Sequence, residues 1–340
     1  MNNSIGIILL CLFLFSCSDR KSDLSKKNDA SDYGLNGRVK SVKSQIYSLI
    51  IEKDTFRIGE KENGLGTDRN SLLEFDERGN LISSKEFLSN GKISEEVTQE
   101  FDKENRLVNR KEVDNYGKGS FLDYKYIYNS ADSLTQVMIS GNDFKRIHQI
   151  ERDENNQPIK REVIQSDTVY LTYIAEYDNN NNMISEKEFR YDSIPVKLIE
   201  RTFNEQNLKE KEQIVEYKSW DTLHYSNIYV YNNKKKLIHC QYNIENDSVY
   251  NEVKNSYHEN GKLKESIWTP KGSLYYVVSV EKYNENGDLV ERSRLPSDGD
   301  PKQTWNYKYK YDTQNNWIER INFKHDQPLR IVKRTIEYFE

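Results

Sequence analysis

The heptapeptide Phe75-Asp76-Glu77-Arg78-Gly79-Asn80-Leu81 returns as Tyr257-His258-Glu259-Asn260-Gly261-Lys262-Leu263 and as Tyr283-Asn284-Glu285-Asn286-Gly287-Asp288-Leu289. Its pattern is an aromatic residue, a turn-initiating polar residue (Asp or Asn in most copies), two polar residues, Gly or Asn, one polar residue and an aliphatic. A tight hairpin loop needs a residue at positive φ, which Gly, and less readily Asn, adopts at low cost. An Asp or Asn at the second position bonds its own backbone two residues on and starts the turn. The flanking aromatic and aliphatic residues then meet where the hairpin closes. Each copy is therefore a reverse turn between two antiparallel strands.

The aromatic position recurs at Phe75, Phe101, Tyr128, Arg152, Tyr177, Phe203, Tyr231, Tyr257, Tyr283, Tyr311 and Tyr338, with Arg152 replacing the ring in one copy. The interval of roughly 26 residues is the signature of a repeat architecture. Tyr33-Gly34-Leu35-Asn36-Gly37-Arg38-Val39 fits as an initial copy, and the long gap from Tyr33 to Phe75 predicts an insertion over about 58–70. A second, looser turn carries Asp-Thr or Asp-Ser, as in Asp167-Thr168-Val169 and Asp221-Thr222-Leu223. These pairs cap turns locally, and they lack the acidic spacing of a calcium loop.

Within each unit the period is two, the mark of a strand. Trp305, Tyr307, Tyr309 and Tyr311 share one face, opposite Thr304, Asn306, Lys308 and Lys310; Tyr124, Tyr126 and Tyr128 repeat the ladder. Read the same way, the descending strands place Leu107, Asn109, Lys111 and Val113 on one face, and Trp317, Glu319, Ile321 and Phe323 on another. The fold expected is all-β: an elongated, curled antiparallel β-sheet meander of about eleven two-stranded repeats, forming a single domain over 33–340, with the aromatic face inside the curl and Tyr338 closing the terminal edge. One hairpin does not bury enough apolar surface to offset its ordering entropy. Stability must then be cooperative along the array.

The Tyr-Asp-x-x-Gly-Asn-Leu element and the Tyr-x-Tyr strand before it, as in Tyr307-Lys308-Tyr309-Lys310-Tyr311-Asp312, resemble the YD, or Rhs, repeat of bacterial surface and secreted proteins. That resemblance covers Tyr33 to the C-terminus. It implies a spiralling β-sheet, in some members a shell or a carbohydrate-binding surface. With no toxin-like domain read after the repeats, a toxin-delivery role is not expected. The chain also looks like uncharacterised repeat lipoproteins of the Bacteroidetes group.

The N-terminus reads as a targeting segment. Ile5 to Phe15 is apolar apart from Gly6, too short to span a membrane, and runs into Leu14-Phe15-Ser16-Cys17. This resembles the bacterial lipobox, in which cleavage precedes a Cys that then carries lipid. It implies a lipoprotein signal peptide at 1–16, lipidation of Cys17, a flexible polar tether at 17–32 and a cell-envelope address, as an outer membrane lipoprotein held to the membrane through Cys17. Cys11 would be removed, leaving Cys240 as the one free thiol of the mature chain.

The chain has 340 residues, of which 35% are hydrophobic and 31% charged, with a mean hydropathy of -0.92. Its 24 Tyr, 12 Phe and 4 Trp exclude a disordered chain. A net charge of -5, from 55 acids against 50 bases, gives no electrostatic case for nucleic acid. The His residues (148, 224, 239, 258, 325) have no zinc spacing. His239 and Cys240 are adjacent and so face opposite sides of a strand. Gly59 to Thr67 lacks the ending of a phosphate loop. No enzyme and no cofactor is expected. The aromatic ladder is the one feature suited to binding: Trp305, Tyr307 and Tyr309 stack as sugar-binding rings do, or else form the core of the curled sheet, while Trp220 and Trp268 stand outside the clean ladders as exposed contact residues. The functions expected are a lipid-anchored binding module for glycan or envelope protein, or a structural accessory of an envelope complex.

Overall fold

A computed structural model describes residues 29–53, 55–64, 68–116, 119–191, 193–244, 248–271, 277–296 and 301–340. Cys17, the signal segment and most of the tether lie outside the described residues. Among the described residues, twenty-three strands make one antiparallel sheet. The first two are Val39–Glu52 (β1) and Thr55–Lys61 (β2). Next come Asn70–Phe75 (β3), Leu81–Phe87 (β4), Ile93–Phe101 (β5), Leu107–Asp114 (β6), Ser120–Tyr128 (β7) and Leu134–Gly141 (β8). Lys145–Arg152 (β9), Pro158–Gln165 (β10), Thr168–Tyr177 (β11), Met183–Arg190 (β12), Ile194–Phe203 (β13), Lys209–Tyr217 (β14), Thr222–Tyr231 (β15) and Leu237–Ile244 (β16) follow. Ser248–Tyr257 (β17), Leu263–Pro270 (β18), Val277–Tyr283 (β19), Leu289–Pro296 (β20), Gln303–Tyr311 (β21), Trp317–Lys324 (β22) and Gln327–Tyr338 (β23) complete the chain.

The meander closes on itself. From β3 onward each strand pairs with the next, and β23 returns to pair with β1, which pairs with β3 on its other edge. Among the described strands, β2 alone stands outside this ring of 22, folded back on the far half of β1. The segment read as an insertion, 58–70, thus holds the second half of β2, the link to β3 and the first residue of β3. The repeat that closes the ring is split: β23 supplies its ascending strand, β1 its descending one. Phe339 N donates to Arg38 O at 2.8 Å, as Asp76 N does to Asn80 O at 3.0 Å in an intact turn. Tyr338 fills the aromatic position of that unit, opposite Val39. Tyr33, read as an initial copy of that position, instead follows a single helical turn, Asp29–Asp32 (α1), and ends no strand.

The turns follow the expected chemistry. In the first, Asp76 Oδ1 accepts from Arg78 N and Asn80 N, both at 2.9 Å, and Gly79 takes φ 82°. The same position has positive φ in the other turns, including Asn105, Asn156, Asn181, Asn207, Gly261, Gly287 and Asn315, and also at Asp132 and Lys235. Neighbouring turns are stitched sideways: Asn80 Nδ2 donates to Asn105 Oδ1 at 2.6 Å, and Asn182 to Asn207. Ring hydroxyls reach back one repeat: Tyr128 donates to Leu107 O at 2.9 Å, Tyr257 to Leu237 O at 2.7 Å and Tyr338 to Asp312 Oδ2 at 2.5 Å. Coupling between repeats is therefore polar as well as apolar.

One sequence reading is corrected here. Every descending strand begins with a β-bulge. Tyr311 pairs with Trp317, but Lys310 pairs with Glu319, so Ile318 is the extra residue; Phe101 pairs with Leu107 and Glu100 with Asn109 in the same way. The bulge flips the phase. Trp317 shares its face with Arg320, Asn322 and Lys324, not with Glu319, Ile321 and Phe323; Leu107 shares its face with Arg110 and Glu112, not with Asn109, Lys111 and Val113. Simple alternation assumes an unbroken pleat, which an inserted residue interrupts.

Five successive strands in the ring, β22, β23, β1, β3 and β4, turn side chains of the aromatic face into one cavity, with Trp317, Val332, Ser44, Leu73 and Glu86 among its lining. Side chains of so many strands converge only on a concave wall, so the aromatic face lines the lumen. A round ring of 22 strands about 4.8 Å apart has a circumference of about 106 Å and a diameter of about 34 Å before tilt widens it, too wide for wall side chains to fill. The compact apolar cluster is local: Ala30 and Leu35 pack on Val39, Val42, Phe75 and Leu81 at the turn end of the ring. α1 and residues 33–36 lie along that rim, from Gly79 O, which accepts from Ala30 N at 3.0 Å, to Asn316 Oδ1, which accepts from Asn36 N at 2.7 Å. The last four residues of the segment read as tether are thus folded.

Two outcomes test this architecture. Lys235→Gly relieves a left-handed lysine and is expected to stabilise the fold by about 1 kcal/mol, read as a higher urea midpoint. Deleting 327–340 removes β23 and bares the edges of β1 and β22; the shortened chain is expected to self-associate on size-exclusion. A monomer with the full-length urea midpoint would show that closure contributes nothing.

Candidate binding wall of the lumen

Charge type is sorted by face. Every arginine of the ring strands lies on the aromatic face: Arg161 opposite Ile150 and Tyr173, Arg201 opposite Glu212, Arg292 opposite Glu281 and Trp305, Arg320 opposite Tyr309. Most lysines take the outer face, where they pair across strands with acids, as Lys187 does with Glu176 at 2.9 Å and Lys310 with Glu319 at 2.7 Å. The division follows from hydration. An ammonium is strongly hydrated and suits a wet convex wall, whereas a guanidinium stacks on rings and forks onto carboxylates in crowded surroundings. Outer lysines and glutamates at mid-strand are also unlike the apolar band of a lipid-facing barrel. No helix among the described residues is long and apolar enough to cross a membrane.

The sector from β18 to β23 gathers the tryptophans. Trp268 lies opposite Val253 and Ser279, Trp305 opposite Arg292 and Lys324, and Trp317 opposite Tyr311, all on the lumen face. The structure thus brings Trp268 to the same wall as Trp305, Tyr307 and Tyr309. Trp268 is 40% exposed and lines a cavity of about 420 Å³ with Ser266, Val277, Glu281 and Arg294. Tyr307 and Tyr309 are half-buried; Tyr309 stacks on Tyr311 at 6.1 Å and donates to Leu289 O at 2.7 Å. Trp220 stands apart. It is 75% exposed in the loop between β14 and β15 and has no part in this wall.

The strongest feature of the sector, missed by simple alternation, is Trp317 with Arg320 and Arg334. The Arg334 guanidinium lies 3.4 Å from the Trp317 ring centroid, and Arg320 5.3 Å from the same ring. Trp317 and Arg334 line both the cavity of about 320 Å³ beside Asp68 and Tyr33 and a larger one of about 540 Å³ beside Tyr283, Asp288 and Asn316. Those volumes suit small ligands or single residues of a polymer. Asp68, from the link after β2, reaches across to hold Arg320 and accepts from Asn322 Nδ2 at 3.0 Å. Burial, and then the neighbouring Arg320, push the Arg334 pKa down to about 10. The only sequence signal for this site was arginine spacing, legible once the bulge is known.

Elsewhere the wall changes sign. β4–β6 carry Glu86, Glu95, Glu112 and Asp114 beside Arg110. β9 and β10 carry Arg146, His148, Arg152 and Arg161. His239 and Cys240 point to opposite faces, and Cys240 is buried. Among the described residues no group of three metal-ligating side chains forms.

No family model and no curated protein matches the chain. Solved structures resemble it in part. The crystal structure of TcdB2-TccC3 without its hypervariable C-terminal region is 12% identical, with a TM-score of 0.42, covering 86% of this chain and 17% of that one. The Photorhabdus luminescens Tc holotoxin pore is 10% identical, with a TM-score of 0.33, covering 84% of this chain and 18% of that one. A porin-like protein from Bacteroides uniformis is 14% identical, with a TM-score of 0.31, covering 67% of this chain and 95% of that one. This chain therefore spans less than a fifth of the toxin chains it matches.

His148 gives a pH test. It is buried on the lumen face between Val137 and Val163, and burial, then Arg161 and Arg146, lower its pKa to about 4. Its folded pKa lies below the ordinary 6.5, so its contribution to stability is complete above pH 6.5 and is lost as pH falls toward 4. The loss is expected to total about 3 kcal/mol. His148→Leu is expected to flatten the urea midpoint over that window relative to the native chain; an unchanged slope would overturn the assignment.

Proposed function

We propose that this protein is a lipid-anchored binding module of the cell envelope that takes a glycan or a protein segment against the lumen wall of its ring. The observation that carries the reading is the run of Trp268, Trp305 and Trp317 beside guanidinium groups on a concave face, with one cavity at Trp268 and two that meet at Trp317 and Arg334. Ring faces give apolar area at small entropic cost, and the arginines give directed hydrogen bonds. The envelope address rests on the lipobox resemblance at Leu14-Phe15-Ser16-Cys17, and the module is read as non-catalytic. Trp220, exposed outside the ring wall, is then no part of the ligand site.

Glycan and peptide arrays followed by tryptophan fluorescence test this. A ligand that changes the emission of the native chain is expected to lose roughly tenfold in affinity with Trp268→Ala, about 1.4 kcal/mol, and none with Trp220→Ala. Equal loss from both substitutions, or no ligand on either array, would count against a lumen site. Cys17→Ser is expected to move the chain from the membrane fraction to the soluble one.

A further inference from the structure

We infer that the rim opposite the tight turns rests on a zwitterionic phospholipid surface, with its loop-tip aromatic side chains at headgroup level. Phe56, Tyr116, Phe144, Tyr191, Trp220 and Tyr250 stand exposed there, each in or beside the looser turn of a different hairpin. Among the described residues, every exposed Phe, Tyr and Trp of the sheet and its loops lies in the half nearer this rim; Tyr33, on the segment along the other rim, is the exception. The tight turns instead carry polar tips, tied sideways through Asn80, Asn105, Asn182 and Asn207. The hairpin of β1 and β2 takes the asymmetry furthest. The last β1–β23 pair is Ser48 with Arg330, and beyond it, among the described residues, the two strands pair only with each other. Leu49 lies opposite Ile58 and Ile51 opposite Phe56, so these apolar side chains share one face, and Ile51, Phe56 and Ile58 are exposed. A two-stranded ribbon with a bare apolar face is marginal in water.

The arrangement fits lipid better than a second protein. A protein interface needs a contiguous, desolvated core at native packing density. Here neighbouring hairpins place their aromatic side chains about 10 Å apart, two strand spacings, around an open mouth. A fluid surface conforms to such separated groups, and Tyr and Trp favour the boundary where ring body and polar tip are both served. The charges agree: Lys53, Lys145 and Lys218 stand beside Glu52, Asp143 and Asp221 along the rim, all exposed. That balance suits zwitterionic headgroups and gives no pull toward anionic lipid. At headgroup depth the open ladder edges of β1 and β2 stay hydrated, which the hydrocarbon interior does not permit. Reach allows the contact. Ala30 N donates to Gly79 O at 3.0 Å, which sets α1 on the tight-turn rim. Cys17 and Asp29 are twelve residues apart, a span of up to about 40 Å. Most ring strands run eight to ten residues and make a wall of about 30 Å. The lipid of Cys17 and the far rim can therefore share one membrane. This step rests on the lipid-anchor reading above: the rim orients a chain that the lipid retains, and does not hold it alone through cell fractionation.

Trp220 is the reporter, because Trp268, Trp305 and Trp317 face the lumen. The full chain, purified in detergent, is reconstituted onto phosphatidylcholine vesicles and floated. Parallel vesicles carry phosphatidylcholine brominated near the headgroup end of its acyl chains, which quenches indoles at bilayer depth. The Trp220 emission is read as the difference between the native chain and Trp220→Phe. Brominated vesicles are expected to abolish most of that difference, at low and high salt alike, with no gain from added phosphatidylglycerol. Tyr191→Ser combined with Tyr250→Ser is expected to restore the Trp220 emission while circular dichroism stays native; Tyr33→Ser, on the opposite rim, leaves the quenching in place. Chains that float with Trp220 unquenched overturn the rim contact and leave the lipid anchor standing. Chains that do not float overturn both. Quenching that survives the paired tyrosine substitution overturns the loop-tip crown, and quenching only with phosphatidylglycerol overturns the zwitterionic surface. Amine cross-linking between Lys53, Lys145 or Lys218 of two floated chains, with Trp220 unquenched, assigns the rim to a second copy and overturns the lipid.

Discussion

The rest of the structure depends on the one residue inserted just after each turn. The bulge after each turn sets two residues of the descending strand against one of the ascending strand. A bulge bends its strand and increases its twist. Repeated once per unit, it gives the sheet a steady curl, and a steady curl over enough units brings the last strand to the first. The same bulge sits at the junction of β23 and β1, where Val39 pairs with Tyr338 but Ser41 with Glu337. Closure therefore adds no new geometry; it is one more repeat whose two halves come from the two ends of the chain. It also removes the open edges that a meander this long would otherwise expose.

Much of this was legible in the sequence. The Gly or Asn position, the Asp or Asn that starts the turn, and the ladders of Tyr124 to Tyr128 and Trp305 to Tyr311 each follow from local chemistry, and each is found in place. Two features were not legible, for physical reasons. The bulge leaves no composition signal, because the extra residue is often an ordinary strand former, as Ile82 and Ile318 are, and any pair of aliphatic residues satisfies a pleat. Closure was hidden because its unit is divided between Tyr338 and Gly37-Arg38-Val39, about 300 positions apart in sequence, so each half looked like an ending rather than part of a repeat. Of the binding wall, the rings of Trp305, Tyr307 and Tyr309 were visible. Trp317, Arg320 and Arg334 were not, because alternation without the bulge assigns Trp317 and Arg320 to opposite faces.

Face assignment then explains an odd feature of the composition. A chain with so much charge and so little aliphatic content has few ways to build a core; among the described residues the compact apolar cluster is the one around Val42 and Phe75, and other buried apolar residues such as Val137, Val163 and Ile199 are spread around the ring. Its fully buried groups include Asn70, Ser293, Asn243 and Arg161 as well as Ile46 and Val42. Polar groups in a wall are tolerable when each finds a partner: Asn243 Nδ2 donates to Ser226 Oγ at 3.0 Å, and Glu212 accepts from Arg201 at 2.9 Å and Asn227 at 3.1 Å. Stability is therefore spread around the ring in backbone ladders, tyrosine hydroxyls and paired charges, with no single apolar centre to lose.

That distribution bears on function. In a protein held together by a central core, a buried cation without a partner is a defect in the element that holds the fold. Here the wall has two exposed sides and the fold rests on its ladders, so a sector with excess guanidinium is tolerated at local cost. Evenly mixed charges would satisfy the ladders equally well, and β12–β14 show that arrangement, with Arg201 held between Glu186 at 3.2 Å and Glu212 at 2.9 Å. β9 and β10 depart from it with Arg146, Arg152 and Arg161, and the sector from β20 to β23 departs from it beside Trp305 and Trp317. Two independent departures from the repeat, one in charge and one in ring size, coincide on a single concave surface, and folding alone requires neither.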